Sequence, residues 1–362
     1  MITASTPAVL SAPMPFEANA GVFSGRAPRG TTEIRVLVDG RRLHRAMLRR
    51  GQLRFSFGPT GLPPKDVTIQ VRFLRGSALI GRRVVKPVFG LPAASWHVVR
   101  PRRTDGRTQK ALANSRSAPG VSSAVWVAGL APGGTAASWN AGAVFTGAST
   151  LKLAILICTL ARDPSDPVTG GLFPLYQQMI LESSNEAADS VLTRVGGSTS
   201  GGGAMVEECI DGLGTTDTIM YGGYAIDSVV PPADTDDAPS IAYGKHTTAH
   251  DLGMLLVALA QAANGHGPAH TMGLTGRKAR VALWLLLHSR YPGLVREATA
   301  APVGHKAGWL DTLQHDAALV FTPRGTLVAV VMTQASGGVS YTSSRAYGVR
   351  VTRLALKRLL GR

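Results

Sequence analysis

The sequence predicts an α+β chain: a small all-β sandwich, then a larger domain of antiparallel sheet with clustered helices. Two observations carry this. At 362 residues the chain exceeds one ordinary small domain and has room for two. Alternating apolar and polar runs fill its first quarter, whereas beyond residue 120 strand-like runs enclose a block of helical periodicity.

Met1 to Ala20 has no basic segment ahead of an apolar one, so it reads as a tail and not an export signal. From residue 21 to 91, Thr32–Val38, Gln52–Phe57 and Val67–Phe73 alternate with period two, and Asp39-Gly40 supplies a hairpin turn. Short strands at this spacing suggest an antiparallel sandwich. The stretch resembles the immunoglobulin-like modules of bacterial surface proteins, in which a segment like Gly25 to Gly30 leads into a strand ending Val38-Asp39-Gly40. Residues 92–120, with Pro101-Arg-Arg-Thr-Asp-Gly-Arg107 and little periodicity, read as a linker.

The second domain, 121–362, opens with Ser123–Ala128, a Pro132-Gly-Gly134 turn and a run to Trp139. Leu151–Leu160 is an almost wholly apolar helix, which should be buried on all sides. Tyr176–Ile180, Glu186–Val195, Thr248–Ala263 and Val281–Leu287 follow at helical spacing. Ala317–Phe321 and Thr326–Met332 flank Pro323-Arg-Gly325 as a hairpin, and Ser344–Leu360 closes as an amphipathic helix. Strands at both ends of a helical block imply a largely antiparallel sheet whose final hairpin pairs with the opening strands.

Composition excludes several classes. No run of eighteen apolar residues occurs, which argues against a membrane span. Cys158 and Cys209 have no further thiol or His at metal-ligand spacing, so no zinc site is expected. They are compatible with one disulfide and equally with two buried thiols. Residues 1–110 hold 20 Lys and Arg against 5 Asp and Glu, whereas the rest hold 18 against 17. A basic patch of this kind favours polyanions such as wall polymers, or is a solvated surface. Nucleic acid is not expected, because aromatics are few there and no recognition motif is present.

Three short elements carry the chemistry: Ser149-Thr150-Leu151-Lys152 at the head of the apolar helix, Ser183-Ser184-Asn185, and Lys306-Ala307-Gly308 before the late strands. Positions i and i+3 share a helix face, so Lys152 lies beside Ser149. A lysine serves as base to a serine when burial and a neighbouring cation depress its pKa, and Lys306 is the candidate cation. The helix N-terminus adds a positive dipole end at Ser149.

The ordered trio resembles the Ser-x-x-Lys, Ser-x-Asn and Lys-Thr-Gly motifs of class A β-lactamases and penicillin-binding proteins. Thr146–Lys152, Ser183–Leu192 with Gly196-Gly197, and His305–Leu310 with His315-Asp-Ala317 resemble the flanking text, so the likeness covers about residues 121 to 360. It implies a β-lactamase/transpeptidase-like fold and acyl-enzyme chemistry without a cofactor or metal. Ser149 would be the nucleophile, Lys152 its base and Ser183 the proton relay. Asn185 would bind the substrate amide and Lys306 its carboxylate, beside Ala307 and Gly308. The backbone N–H groups of Ser149 and Trp309 would form the oxyanion hole. Substrates would be a β-lactam or a D-alanyl peptide of peptidoglycan type, and the location the cell envelope or outside it.

Departures accompany the likeness. Ala307 stands where the family usually has a hydroxyl residue, and Gly214 to Thr247 contains no Glu to activate a deacylating water. Asp227 is the nearest candidate. The gap between the first two motifs is short, and Gly201-Gly-Gly203 reads as an insertion at the cleft rim. Structural readings stand beside the functional ones: Ser183 and Asn185 as helix caps, His305 and His315 as core histidines, Trp309 as filler, Glu186 as a first-turn acid. The alternative overall reading is a degenerate enzyme that serves as a wall-binding or scaffolding protein.

Overall fold

The computed structural model describes residues 8–115, 117–220, 222–224 and 245–361, which fall into two units, one ending at Trp96 and one starting at His97. The strands of the first unit are β1 (Val9–Ala12), β2 (Glu17–Asn19), β3 (Phe23–Arg26), β4 (Glu33–Val38), β5 (Arg41–Met47), β6 (Arg54–Phe57), β7 (Asp66–Arg75) and β8 (Ala78–Gly90). They form a three-stranded sheet, β1-β3-β6, and a five-stranded sheet, β2-β8-β7-β4-β5, antiparallel except where β2 runs parallel to β8. Period-two alternation sends Ile34, Val36, Ile69, Val71 and Phe73 into a core shared with Phe23 and Phe55. The β4–β5 hairpin turns at Asp39 and Gly40, both at positive φ (48° and 82°), as a two-residue turn with the twist of its flanking strands requires.

Residues 8–20 are not a tail: they supply β1 and β2. Strands of three and four residues are too short to show an alternation, yet Leu10, Ala12 and Ala18 are buried. Residues 97–120 are likewise not a bare linker. They contain α1 (Gly106–Ala113), capped by the Asp105 carboxylate on Thr108 N (2.9 Å), with Leu112 fully buried. One apolar anchor in eight residues leaves no readable period.

The second unit continues with β9 (Ser122–Gly129), β10 (Ala136–Trp139), β11 (Val144–Thr146), a 3-10 turn (Ala148–Leu151), α2 (Lys152–Arg162), α3 (Phe173–Leu181), α4 (Asn185–Gly196) and α5 (Thr199–Gly212). Then come β12 (His246–Thr248), α6 (Ala249–Ala263), α7 (Pro268–Thr271), α8 (Gly276–Leu287), β13 (Val303–Leu310), β14 (Leu313–Thr322), β15 (Gly325–Gln334) and α9 (Tyr341–Leu359). The main sheet, β10-β9-β15-β14-β13, is antiparallel, and the expected late hairpin pairs β15 with the opening strand β9. Leu112 of α1 and Tyr347, Val351 and Ala355 of α9 share a core with Val125, Val127, Ala318 and Ala329 of the sheet. α6 packs on the other side, where Gly253 lies so close to the Trp126 ring that a Cβ would meet it at 2.2 Å. α2 is buried from Lys152 to Leu160, as its apolar composition predicts.

Gly201–Gly203 is not a rim insertion. The run lies inside α5, and a Cβ on Gly202 would stand 2.5 Å from Leu192 O, so the glycines let α5 and α4 approach backbone to backbone. The Cys158–Cys209 disulfide joins α2 to α5. It closes a loop with a sequence separation of 51 residues. Loop-closure entropy makes such a cross-link worth about 2–4 kcal/mol. Urea unfolding of C158S/C209S is expected to show that loss.

Candidate active site

The nucleophile turn starts from β11. Ala148 is held at φ 43°, a conformation a residue with a Cβ rarely adopts, and this sets Ser149 at the N-terminal end of the helical column that continues as α2. The Thr150 hydroxyl donates back to Gly147 O. Behind the turn, buried His315 donates from Nε2 to Thr146 O (3.1 Å) and accepts Thr333 N–H at Nδ1 (3.3 Å). Burial pushes its pKa down to about 4, so the imidazole is neutral and each ring nitrogen has a fixed role. His305 is also interior, paired with the Asp316 carboxylate at 2.8 Å, and Asp316 in turn accepts Val295 N–H.

Lys152 is one turn along, with Nζ 3.0 Å from Ser149 Oγ. It also donates to Asn185 Oδ1 (2.7 Å), Ser183 O (2.5 Å) and Ser183 Oγ (3.3 Å). Burial lowers its pKa to about 8, against the pull of Glu186 and Asp189. Ser183 sits at φ 56° between α3 and α4, and its hydroxyl also takes a bond from Lys306 Nζ at 2.9 Å. The cap of α4 is Ser184, which accepts from Ala187 N (3.0 Å) and donates to Glu186 Oε2. That leaves the side chains of Ser183 and Asn185 turned to the lysines.

Lys306, Ala307, Gly308 and Trp309 lie on β13, the edge of the main sheet. Phe321 N–H bonds to Pro302 O, which sets the ladder's alternation. Residues 304, 306, 308 and 310 therefore bond to β14, and 307 and 309 direct their backbone groups to the open edge. Lys306 is fully buried, and its ammonium donates to Ala307 O at 2.8 Å. Burial first, and then the Lys152 charge, lower its pKa to about 7, with Asp316 opposing. Strand and nucleophile turn touch at Gly308: a Cβ there would stand 2.9 Å from Thr150 N and 3.1 Å from Ser149 N. Half-exposed Trp309 meets Tyr291 edge to face at 5.0 Å.

All three motifs thus converge, through a continuous chain of contacts from Ser149 to Lys152, Ser183 and Lys306. Asp227 lies outside the described residues. One participant is new: Tyr224, whose hydroxyl is 3.1 Å from Ser149 Oγ and whose ring faces Lys152 Nζ at 4.5 Å. Its backbone N–H is held by Asp189 Oδ1 (2.6 Å), and the adjacent Gly223 has room for no Cβ against Thr199. The place of Tyr224 beside Ser149 depends on a contact across 75 residues, for which the local sequence carries no signal. Among the described residues, no cluster of His, Cys, Asp and Glu could hold a metal, and no helix is long and apolar enough to cross a membrane.

This arrangement can deprotonate a serine hydroxyl, receive an anion beside Lys306 and place backbone donors at a developing oxyanion. A family model described as the beta-lactamase enzyme family matches residues 162–359, a span containing Ser183, Asn185 and Lys306 and beginning just beyond Lys152. Solved structures with a similar fold include a β-lactamase from Sphaerobacter thermophilus, at 20% identity and TM-score 0.52, covering 69% of this chain and 95% of that one. PBP-A is similar at 18% identity and TM-score 0.54, covering 72% and 98%. A class A β-lactamase from Mycobacterium abscessus is similar at 19% and 0.54, covering 69% and 98%. No curated protein matches the chain.

Proposed function

Since the chain belongs to the beta-lactamase enzyme family, we propose that it is a serine acyltransferase or hydrolase that opens a β-lactam or cleaves a D-alanyl peptide through an ester on Ser149. The observation that carries this reading is the Lys152 ammonium, 3.0 Å from Ser149 Oγ and with a pKa lowered to about 8. In the proposed reaction Lys152 accepts the hydroxyl proton as Oγ attacks the carbonyl carbon. Ser183, bridging Lys152 and Lys306, returns a proton to the leaving nitrogen. Lys306 holds the substrate carboxylate, Asn185 its amide, and the Ser149 and Trp309 N–H groups the oxyanion.

Breakdown of the ester is the slower half in this reading. Among the described residues the groups that contact Ser149 Oγ are the Tyr224 hydroxyl and the Lys152 amine, and a phenol is a far poorer base toward water than a carboxylate. The work proposed is therefore that of a D,D-carboxypeptidase-like protein with weak lactam turnover. The acylation half has a parallel in a neighbour of similar fold: a PBP-A mutant has been solved as an acyl-enzyme complex with penicillin G. The disulfide supports an extracellular or envelope location, where thiols oxidise. The two-sheet first unit supports an immunoglobulin-like module, and its basic excess supports retention on an anionic wall polymer.

Intact-protein mass after incubation with penicillin G tests the central step. Wild type is expected to gain one penicillin mass and to lose it slowly, and Ser149→Ala to gain none. An adduct on Ser149→Ala, or no adduct on wild type, would sink the proposal. The pH profile follows from the two lysines. Lys152 must be neutral, so the rate rises with pH as its proton leaves; Lys306 must be charged to hold a carboxylate, so the rate falls as its proton leaves. With values of about 8 and 7, acylation per unit penicillin should peak between those two pH values and decline on both sides. A flat profile from pH 6 to 9 would contradict the assignment.

A further inference from the structure

The outward face of the five-stranded sheet carries a row of arginines in direct register. Arg45 of β5 stands opposite Arg35 of β4, Arg35 opposite Arg72 of β7, and Arg72 opposite Arg82 of β8. Their sequence neighbours Ile34, Val36, Val71 and Phe73 enter the core, so Arg35 and Arg72 are on the side away from it. Four adjacent strands at the usual spacing make the row about 14 Å long. Arg42 follows one row along, opposite Leu37.

Like charges directly opposite one another destabilise a sheet, and this face offers little relief. Glu33 accepts from Arg35 and from Arg45 (2.9 Å), which hold its pKa at about 2. Arg72 is steadied by the neutral amide of Gln70 at 2.6 Å. Arg82 is exposed. Arg35 and Arg45 keep 37% and 55% of their side chains in solvent while bonded to Glu33, so both still present donors outward. Among the described residues, the ion pairs of the four guanidiniums in the row are to one carboxylate, Glu33.

We infer that this arginine row is the docking surface for a linear phosphodiester polymer of the cell wall, lying across the strands with successive phosphates on successive guanidiniums. The inference rests on the reading of the first unit as a holder of anionic wall polymer and adds the place and the chemistry. A guanidinium presents a fork of donors that matches a phosphate. The row places one guanidinium on each of four adjacent strands, which suits a chain of anions. No aromatic of β4, β5, β7 or β8 shares the row to stack bases, which disfavours single-stranded nucleic acid.

The test uses the full-length protein and poly(glycerol phosphate), with affinity measured from 50 to 300 mM salt. Two variants of equal net charge are compared: R45Q/R72Q/R82Q in the row, and R26Q/R49Q/R54Q off it. Arg26 and Arg54 oppose each other on the three-stranded sheet, and Arg35 is kept so that Glu33 retains a partner. The row variant should bind at least about tenfold more weakly, with a salt slope shallower by about 2, given roughly 0.7 per contact on a flexible polyanion. The control should lose less than about threefold. Its penicillin adduct and that of the row variant should match wild type.

Equal losses in both variants would overturn the row while leaving the broader polymer reading in place. Absence of binding by wild type would overturn both. Tighter binding to phosphatidylglycerol vesicles or to oligothymidylate, at equal phosphate, would overturn the choice of polymer. Removing opposed like charges should leave the melting temperature unchanged or raised; a row variant melting well below the control would make the arginines structural and end the proposal.

Discussion

Lys152→Met is expected to slow acylation of Ser149 by about a thousandfold, within the 10²- to 10⁴-fold range typical of removing a positioned base. Methionine matches the stem of lysine and stays in the apolar helix, so the loss isolates the amine. Lys152→Arg should be equally inactive. A guanidinium keeps its proton under all working conditions, so it supplies the charge and the reach without the basicity. Stopped-flow measurement of the first turnover with a chromogenic lactam reads both variants. Retained acylation in Lys152→Arg would mean that Lys152 acts as a fixed charge, and the proton would then have to go elsewhere, with Tyr224 the next group in contact with the nucleophile.

Gly308→Ala should cost about 10²- to 10³-fold in the acylation rate, the size of losing one oxyanion donor. The added methyl would stand 2.9 Å from Thr150 N and 3.1 Å from Ser149 N, and both neighbours are backbone, so strand or turn has to shift. The shift moves Ser149 N–H relative to Trp309 N–H, the pair proposed to meet the oxyanion. Gly304→Ala, on the same strand, is the control: its nearest contact would be 3.4 Å, an ordinary distance. Slow acylation in Gly308→Ala with normal thermal unfolding and normal activity in Gly304→Ala is the expected pattern. A fully active Gly308→Ala would dissociate the strand contact from catalysis.

What could be read in advance was whatever repeats or recurs locally. Val67–Phe73 alternates, Leu151–Leu160 is apolar throughout, and the β14–β15 hairpin is marked by Pro323-Arg-Gly325, so each element follows from its own residues. The Ser149–Lys152 pair is legible for the same reason, being one helical turn. The unread parts are those that depend on partners distant in sequence. α5 carries Gly201, Gly202 and Gly203 near its start, which argue against a helix until the close approach of α4 is known. β1 and β2 are strands only because other strands receive them. The Cys158–Cys209 bond needs the packing of α2 on α5, and Tyr224 needs the fold that carries it 75 residues along the chain to Ser149. The arginine row is the extreme case: four unremarkable residues in four strands, aligned by register alone.

The two buried ammonium groups have a consequence for selectivity. Lys152 and Lys306 both bond the hydroxyl of Ser183, and burial and the Lys152 charge together disfavour the charged form of Lys306. In the proposed reaction this is a local deficit of negative charge, which a ligand carboxylate beside Lys306 would make up. The cleft would then work as a charge filter ahead of any test of shape. A neutral ester of the right outline leaves the deficit in place, whereas an acid of only approximate fit is drawn in by it. Discrimination among substrates would begin with valence and end with geometry.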